Sequence, residues 1–255
     1  MAKDAFDEWL PRDYLRDYYS SLQEDERHTI RYFVEQMRAA PEGPVVCFGC
    51  GPTLHHVFLT AERATELYLA DYLPRNLDEI ERWRVRAADA HDWVPFVRYT
   101  LACETGAEPS DGEIAARMEQ IRGRISGLVQ ADAGREDPMG PSFRGRFATV
   151  LSPFCADSAT DDKAVWARYS RHIASLVAPG GLMLTSSLRH CRRYRVGNRQ
   201  FTAANIDEAD LQAILEQDFV QGSVAVEVRE TPEHLAQGYS GIILARARRS
   251  EMPGR

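Results

Sequence analysis

The stretch Val45-Val46-Cys47-Phe48-Gly49-Cys50-Gly51-Pro52-Thr53 restricts this chain to few folds. Val45 and Val46 are β-branched and suit a buried parallel strand, and Gly43 and Pro44 punctuate its start. Gly49 and Gly51 allow positive φ and a close approach of backbone to a ligand. Pro52 suits the first turn of a helix, where its missing N–H costs little. A second apolar run, Leu67-Tyr68-Leu69-Ala70, ends in Asp71. An acid about 20 residues beyond a glycine turn is where a Rossmann-like fold meets an adenosine ribose.

The third glycine of a dinucleotide fingerprint is missing, because Leu54-His55-His56 stands in its place. A pyrophosphate needs a glycine-lined approach to a helix N-terminus. The turn therefore suits a nucleoside without phosphates and points to S-adenosylmethionine. A turn that merely joins a strand to a helix is the plain alternative, and Asp71 weighs against it.

The chain has 255 residues, 44% of them hydrophobic and 27% charged, enough for one α/β domain with a sizeable core. A net charge of −7 opposes a general nucleic-acid binder. No apolar run reaches the roughly 20 residues of a membrane span. The start, Met1-Ala2-Lys3-Asp4-Ala5-Phe6, has no apolar signal core. The five cysteines lack the pattern of a disulfide scaffold. A cytoplasmic location is the expectation. Cys47 and Cys50 form a CxxC, yet Cys47 belongs to the strand and no second Cys or His pair completes a zinc site. Two small, partly buried side chains are expected there, and no metal.

Apolar residues at helical spacing, from Phe6 and Trp9 to Val34 and Met37, predict helices over residues 4–40. The tyrosine-rich segment from Pro11 to Tyr19 reads two ways: a helix packing aromatics onto the domain, or a lid whose phenols close over a polar ligand. Beyond Asp71, helices are expected over 74–86 and 113–126. The third strand is expected over 127–132, so that Asp132 ends it as Asp71 ends the second. A fourth strand over 147–152, a helix over 162–178 and a fifth strand over 182–186 follow. A polar hairpin over 189–201, a helix over 207–217 and strands over 223–230 and 239–248 close the chain. The alternation predicts an α/β fold, a Rossmann-like, seven-stranded and mostly parallel sheet with an antiparallel C-terminal edge. One domain over 1–255 is expected, with 1–40 as a helical lid.

The residues resemble the nicotinamide, phenylethanolamine and indolethylamine N-methyltransferase family, class I enzymes that use S-adenosylmethionine. The resemblance spans nearly the full length. It rests on Asp13-Tyr14-Leu15 with Tyr18-Tyr19, on Gly49-Cys50-Gly51-Pro52-Thr53, and on Asp71-Tyr72 followed by Asn76-Leu77. His91-Asp92-Trp93, Ala131-Asp132 and Leu151-Ser152-Pro153-Phe154-Cys155-Ala156-Asp157 continue it.

The resemblance implies roles. Tyr14, Tyr19 and Thr53 would meet the amino-acid end of the cofactor, and Gly49, Cys50 and Gly51 would let backbone approach it. Asp71 would accept both ribose hydroxyls, since a carboxylate offers two acceptor oxygens, with Tyr72 and Asn76 beside it. Asp132 and Ala133 would address the adenine. Ser152, Pro153 and Phe154 would line the passage to the acceptor. Asp157 matches an acid facing the acceptor amine and Tyr194 a tyrosine of the acceptor pocket; Tyr18 joins Asp157 as a candidate catalytic residue. Asp157 could instead cap a helix.

The chain departs from the family in three places. Cys47 stands for an aspartate that contacts the cofactor's amino group, and His55 for a tyrosine that contacts the cofactor. Ser187 and Cys191 replace side chains that hold the acceptor. Nicotinamide and catecholamine specificity therefore do not carry over. Arg189-His190-Cys191-Arg192-Arg193-Tyr194-Arg195 reads as a solvated hairpin or, through Arg192, as a grip on an acceptor carboxylate or other anionic group. The expected activity is methyl transfer to the nitrogen of a small molecule. Transfer to sulfur or oxygen is the alternative, and an NAD-dependent oxidoreductase a further one that the missing glycine opposes.

Overall fold

The computed structural model describes residue 6 and residues 8–251, so the first part of the expected helical run over 4–40 falls outside the described residues. The rest of that run is two helices, α1 (Pro11–Tyr19) and α2 (Glu24–Met37). They are followed by β1 (Gly43–Phe48), β2 (Ala64–Asp71), α3 (Pro74–Arg84), α4 (Val94–Thr105), α5 (Asp111–Arg124) and β3 (Ile125–Gln130). The chain continues with β4 (Phe147–Pro153), α6 (Lys163–Ala174), β5 (Val177–Leu188), β6 (Arg193–Val196), β7 (Arg199–Thr202), α7 (Glu208–Asp218), β8 (Ala225–Glu230) and β9 (Gly241–Arg248).

Seven strands form one sheet in the order β3-β2-β1-β4-β5-β9-β8, and β6 and β7 pair apart from it. The strands β1 to β5 are parallel, whereas β9 runs antiparallel to β5 and to β8. The expected sheet is thus the observed one. Val45 and Cys47 of β1 face one core, with Ile30, Ile80 and Phe96, while Val46 and Phe48 face the other, with Trp166 and Leu211. Successive residues of a strand point to opposite faces, so β1 is buried on both. The sheet order reverses direction beside β1, between β2 and β4, which opens a crevice at the carboxyl ends of these strands.

Several boundaries differ from the expectation. No α-helix follows the glycine turn. Residues 53–63 run instead through tight turns, Val57 N–H to Leu54 O at 2.9 Å and Thr60 N–H to Val57 O at 3.1 Å. The Thr53 and Thr60 hydroxyls donate to the Cys50 and Val57 carbonyls, each at 2.7 Å, and so compete with α-helical bonding. The third strand starts and stops two residues early, because α5 runs straight into it and Asp71 pairs with Gln130. Asp132 therefore lies beyond the strand. Helix α6 is shorter than expected and is capped by Asp162, whose side chain accepts from Ala164 N–H and Val165 N–H. That removes the capping role considered for Asp157. The aromatic patch around Trp93 is helical, as α4.

The glycine turn is held by packing as much as by φ. Gly49 and Gly51 have φ of +67° and +58°. A Cβ on Gly49 would lie 2.0 Å from Cys155 Sγ, whereas one on Gly51 would meet nothing nearer than Tyr14 at 3.8 Å. Gly51→Ala should cost about 1–2 kcal/mol, the penalty of the left-handed region, and Gly49→Ala several kcal/mol more from overpacking. Urea unfolding of both variants checks this; equal losses would refute the packing argument.

Candidate active site

The crevice at the ends of β1 and β4 is a cavity roofed by α1. Asp71, at the end of β2, organises its floor. Its Oδ2 accepts from Gly51 N–H at 2.8 Å, and its Oδ1 from Leu73 N–H and Asn76 Nδ2, both at 2.9 Å. Burial raises this carboxyl above its ordinary value against the pull of these donors. A carboxylate offers about four acceptor positions, and these donors occupy most of them. Asn76 Oδ1 in turn accepts from Trp9 Nε1 at 3.0 Å, which ties the segment before α1 to the floor.

Helix α1 is fixed at both ends. Tyr18 donates its hydroxyl to Arg195 O at 2.7 Å, and Gly197 N–H donates to Asp17, which joins α1 to the β6–β7 hairpin. Phe201 of the hairpin stacks near Trp9 and Phe6. On the other side Arg12 pairs with Glu79 of α3 at 2.9 Å. Tyr14, Tyr18 and Tyr19 all line the cavity and also pack against the core. Burial holds all three phenols protonated.

Tyr19 leads to a buried polar cluster. Its hydroxyl donates to Glu26 Oε1 at 3.2 Å, while Glu26 Oε2 lies 2.9 Å from His55 Nε2 and 3.3 Å from His56 Nε2. Burial pushes the Glu26 carboxyl up, but the two facing imidazoles outweigh this and hold it below the ordinary range. Next to it, Asp25 Oδ2 accepts from Tyr239 at 2.8 Å and Oδ1 lies 3.1 Å from His234 Nε2. Asp25, Glu26, His56 and Tyr239 were not anticipated from the sequence, yet all line the cavity. The available signal was Glu26 in register with Ile30, Phe33 and Met37 on the apolar stripe of α2.

Of the anticipated residues, Gly49, Cys50, Gly51, Thr53, His55, Tyr72, Ala133, Pro153, Phe154 and Tyr194 also reach the cavity. Phe154 has φ of +49°, an uncommon conformation for a bulky residue, and it lines the cavity. Six residues do not line it: Asp132, Ser152, Asp157, Ser187, Cys191 and Arg192. The Asp132 carboxylate closes its own turn by accepting from Gly134 N–H at 2.8 Å. Ser152, Ser187 and Cys191 are buried within the wall, and Arg192 is exposed. Among the described residues no Arg or Lys lines the cavity, so the hairpin arginines supply no anion grip there. Cys47 lies in β1, and burial, followed by the nearby Asp71, pushes its thiol up to about 12. A reactive thiolate is disfavoured.

The profile of the NNMT/PNMT/TEMT family matches residues 1–250. The chain belongs to this family. Its similarity to the indolethylamine N-methyltransferase of Oryctolagus cuniculus is 28% identity, covering 83% of this chain and 82% of that enzyme. Human nicotinamide N-methyltransferase is 24% identical over 85% of this chain and 84% of its own length. The mouse phenylethanolamine N-methyltransferase is 24% identical over 97% and 87%. Among solved structures, magnesium protoporphyrin IX methyltransferase from Synechocystis PCC 6803 superposes with a TM-score of 0.56 at 15% identity, covering 97% of this chain and 94% of that one. The N-methyltransferase NodS from Bradyrhizobium japonicum WM9 gives 0.51 at 16%, covering 89% and 97%. Both confirm the fold.

In this member of the family Asp157 sits behind the cavity wall. Its Oδ2 accepts from Leu188 N–H at 2.9 Å, Oδ1 has no partner, and burial raises its carboxyl to about 6. Leu188 itself lines the cavity, so Asp157 reaches the site through that residue. With the folded pKa above the unfolded value, the native state holds the proton more tightly. Stability therefore falls as pH rises between about 4 and 6. Asp157→Asn keeps an acceptor for Leu188 and removes the charge. It should be more stable than wild type at pH 7.5, by on the order of 2–3 kcal/mol, and equal to it near pH 4. Urea unfolding at the two pH values checks this; a difference independent of pH would contradict it.

Proposed function

We propose that the cavity binds S-adenosylmethionine along the ends of β1, β2 and β4 and receives a small-molecule amine beside Phe154, Leu188 and Tyr194. Family membership makes the chain an N-methyltransferase of small molecules that depends on this donor. The observation that carries the reading is the composition of the wall. Asp71, Asp25 and Glu26 face the cavity with aromatic side chains and, among the described residues, without Arg or Lys. Such a wall suits a cationic nucleoside and offers nothing to a pyrophosphate, which speaks against a dinucleotide.

The cofactor, when bound, supplies an electrophilic methyl group on a sulfonium. The chain supplies alignment and a dry site, which account for most of the acceleration expected of an in-line displacement. Asp71 faces the ribose, and Ala131 and Ala133 flank the adenine. Tyr14, Tyr19 and Thr53 stand at the amino-acid end, and α1 excludes water. Asp157 acts as a positioning residue by fixing Leu188 at the acceptor side. Tyr18, whose hydroxyl is committed to Arg195 O, holds the lid rather than moving a proton.

Incubation with methyl-labelled cofactor and panels of small amines, thiols and hydroxyl compounds should give products carrying the label on nitrogen, read by mass and fragmentation. Label on sulfur or oxygen alone would overturn the assignment of the accepting atom.

A further inference from the structure

The cluster of Glu26, His55 and His56 is unusual among the buried groups of this protein. The three side chains are 5%, 2% and 3% exposed. Oε2 of Glu26 and Nε2 of each histidine converge, with the carboxylate oxygen 2.9 and 3.3 Å from the two nitrogens. These three atoms face one another across the two contacts, and no further group donates to or accepts from them. Buried polar atoms are costly unless fully satisfied, and these three donor atoms lie within 4.8 Å of one another beside the cavity.

We propose that Glu26 Oε2, His55 Nε2 and His56 Nε2 bind one divalent transition-metal ion, with its open coordination positions towards the cavity. Donor atoms around an ion at ~2.1 Å lie roughly 3.0–3.4 Å apart for octahedral to tetrahedral angles, and the two observed separations sit close to that range. Two imidazoles and one carboxylate select a zinc- or ferrous-type ion over magnesium or calcium. Tyr19, donating to Glu26 Oε1 at 3.2 Å, is the outer partner that orients the carboxylate. Asp25, adjacent in sequence, also faces the cavity, and among the described residues no Arg or Lys of the wall opposes a cation there. Three protein ligands leave at least one position for a donor atom of a small molecule. The site departs from the metal-free expectation raised by the cysteine spacing, because its ligands come from a helix and a turn that are distant in sequence.

The test uses the full chain, stripped with a chelator and titrated with Co(II) as the probe. Wild type should take up one equivalent, develop visible d–d absorption and melt at a higher temperature. X-ray absorption at the cobalt edge should show imidazole scattering. Glu26→Gln and His56→Asn, checked for folding by circular dichroism, should each weaken Co(II) by more than about 100-fold, beyond the loss caused by removing an outer partner. A wild-type protein that takes up no Co(II), a cobalt shell without imidazole, or folded variants of unchanged affinity would each overturn the site. Since wild-type uptake and its absorption edge are read without the variants, misfolding of a variant leaves the test decisive. None of these readouts involves the methyl donor, so their failure would leave the proposed function standing.

Discussion

The Asp71 carboxylate is the joint on which the site depends. A buried carboxylate is tolerable only when its oxygens are satisfied, and here three N–H groups from three places in the chain satisfy it. Gly51 fixes the turn after β1, Leu73 the entry to α3, and Asn76 relays the contact to Trp9 under the lid. One side chain thus sets the turn, a helix start and the roof in register.

The roof carries the second constraint. Helix α1 has only 9 residues and is too short to be stable alone. It is held by the hairpin through Tyr18 and Asp17, by α3 through Arg12, and by Phe201, on which Phe6 stacks and which Trp9 meets edge-on. The exposed arginines of the hairpin, which the sequence offers either as a solvated face or as a grip on an acceptor anion, lie opposite a buried face, with Tyr194, Val196 and Phe201, that supports α1.

What was legible in the sequence followed local rules. A β-branched strand, a glycine pair and an acid at the end of the next strand are short-range patterns, and they placed Gly49, Gly51 and Asp71 correctly. The tyrosines of α1 were legible because aromatic residues cluster there at helical spacing. Asp132 was misplaced because strand boundaries depend on register with β2, which no local pattern reports. Asp25, Glu26, His234 and Tyr239 escaped for a related reason. They meet only because α2 packs beside β9 and under the turn after β1, and an acid near a helix start reads as an ordinary solvated one. The Thr53 and Thr60 hydroxyls likewise replaced a helix that the residues around Pro52 favoured.

In the proposed function, Asp71 organises the cradle for S-adenosylmethionine. Calorimetric titration with the product S-adenosylhomocysteine tests it most directly. In Asp71→Asn an amide N–H would face the N–H of Gly51 or Leu73, and the charge-assisted bonds, worth about 1.5–3 kcal/mol each, would be lost. Wild type should bind one equivalent, and Asp71→Asn at least about 30-fold more weakly. A wild-type protein that binds none, or equal affinity in the two proteins, would contradict the account.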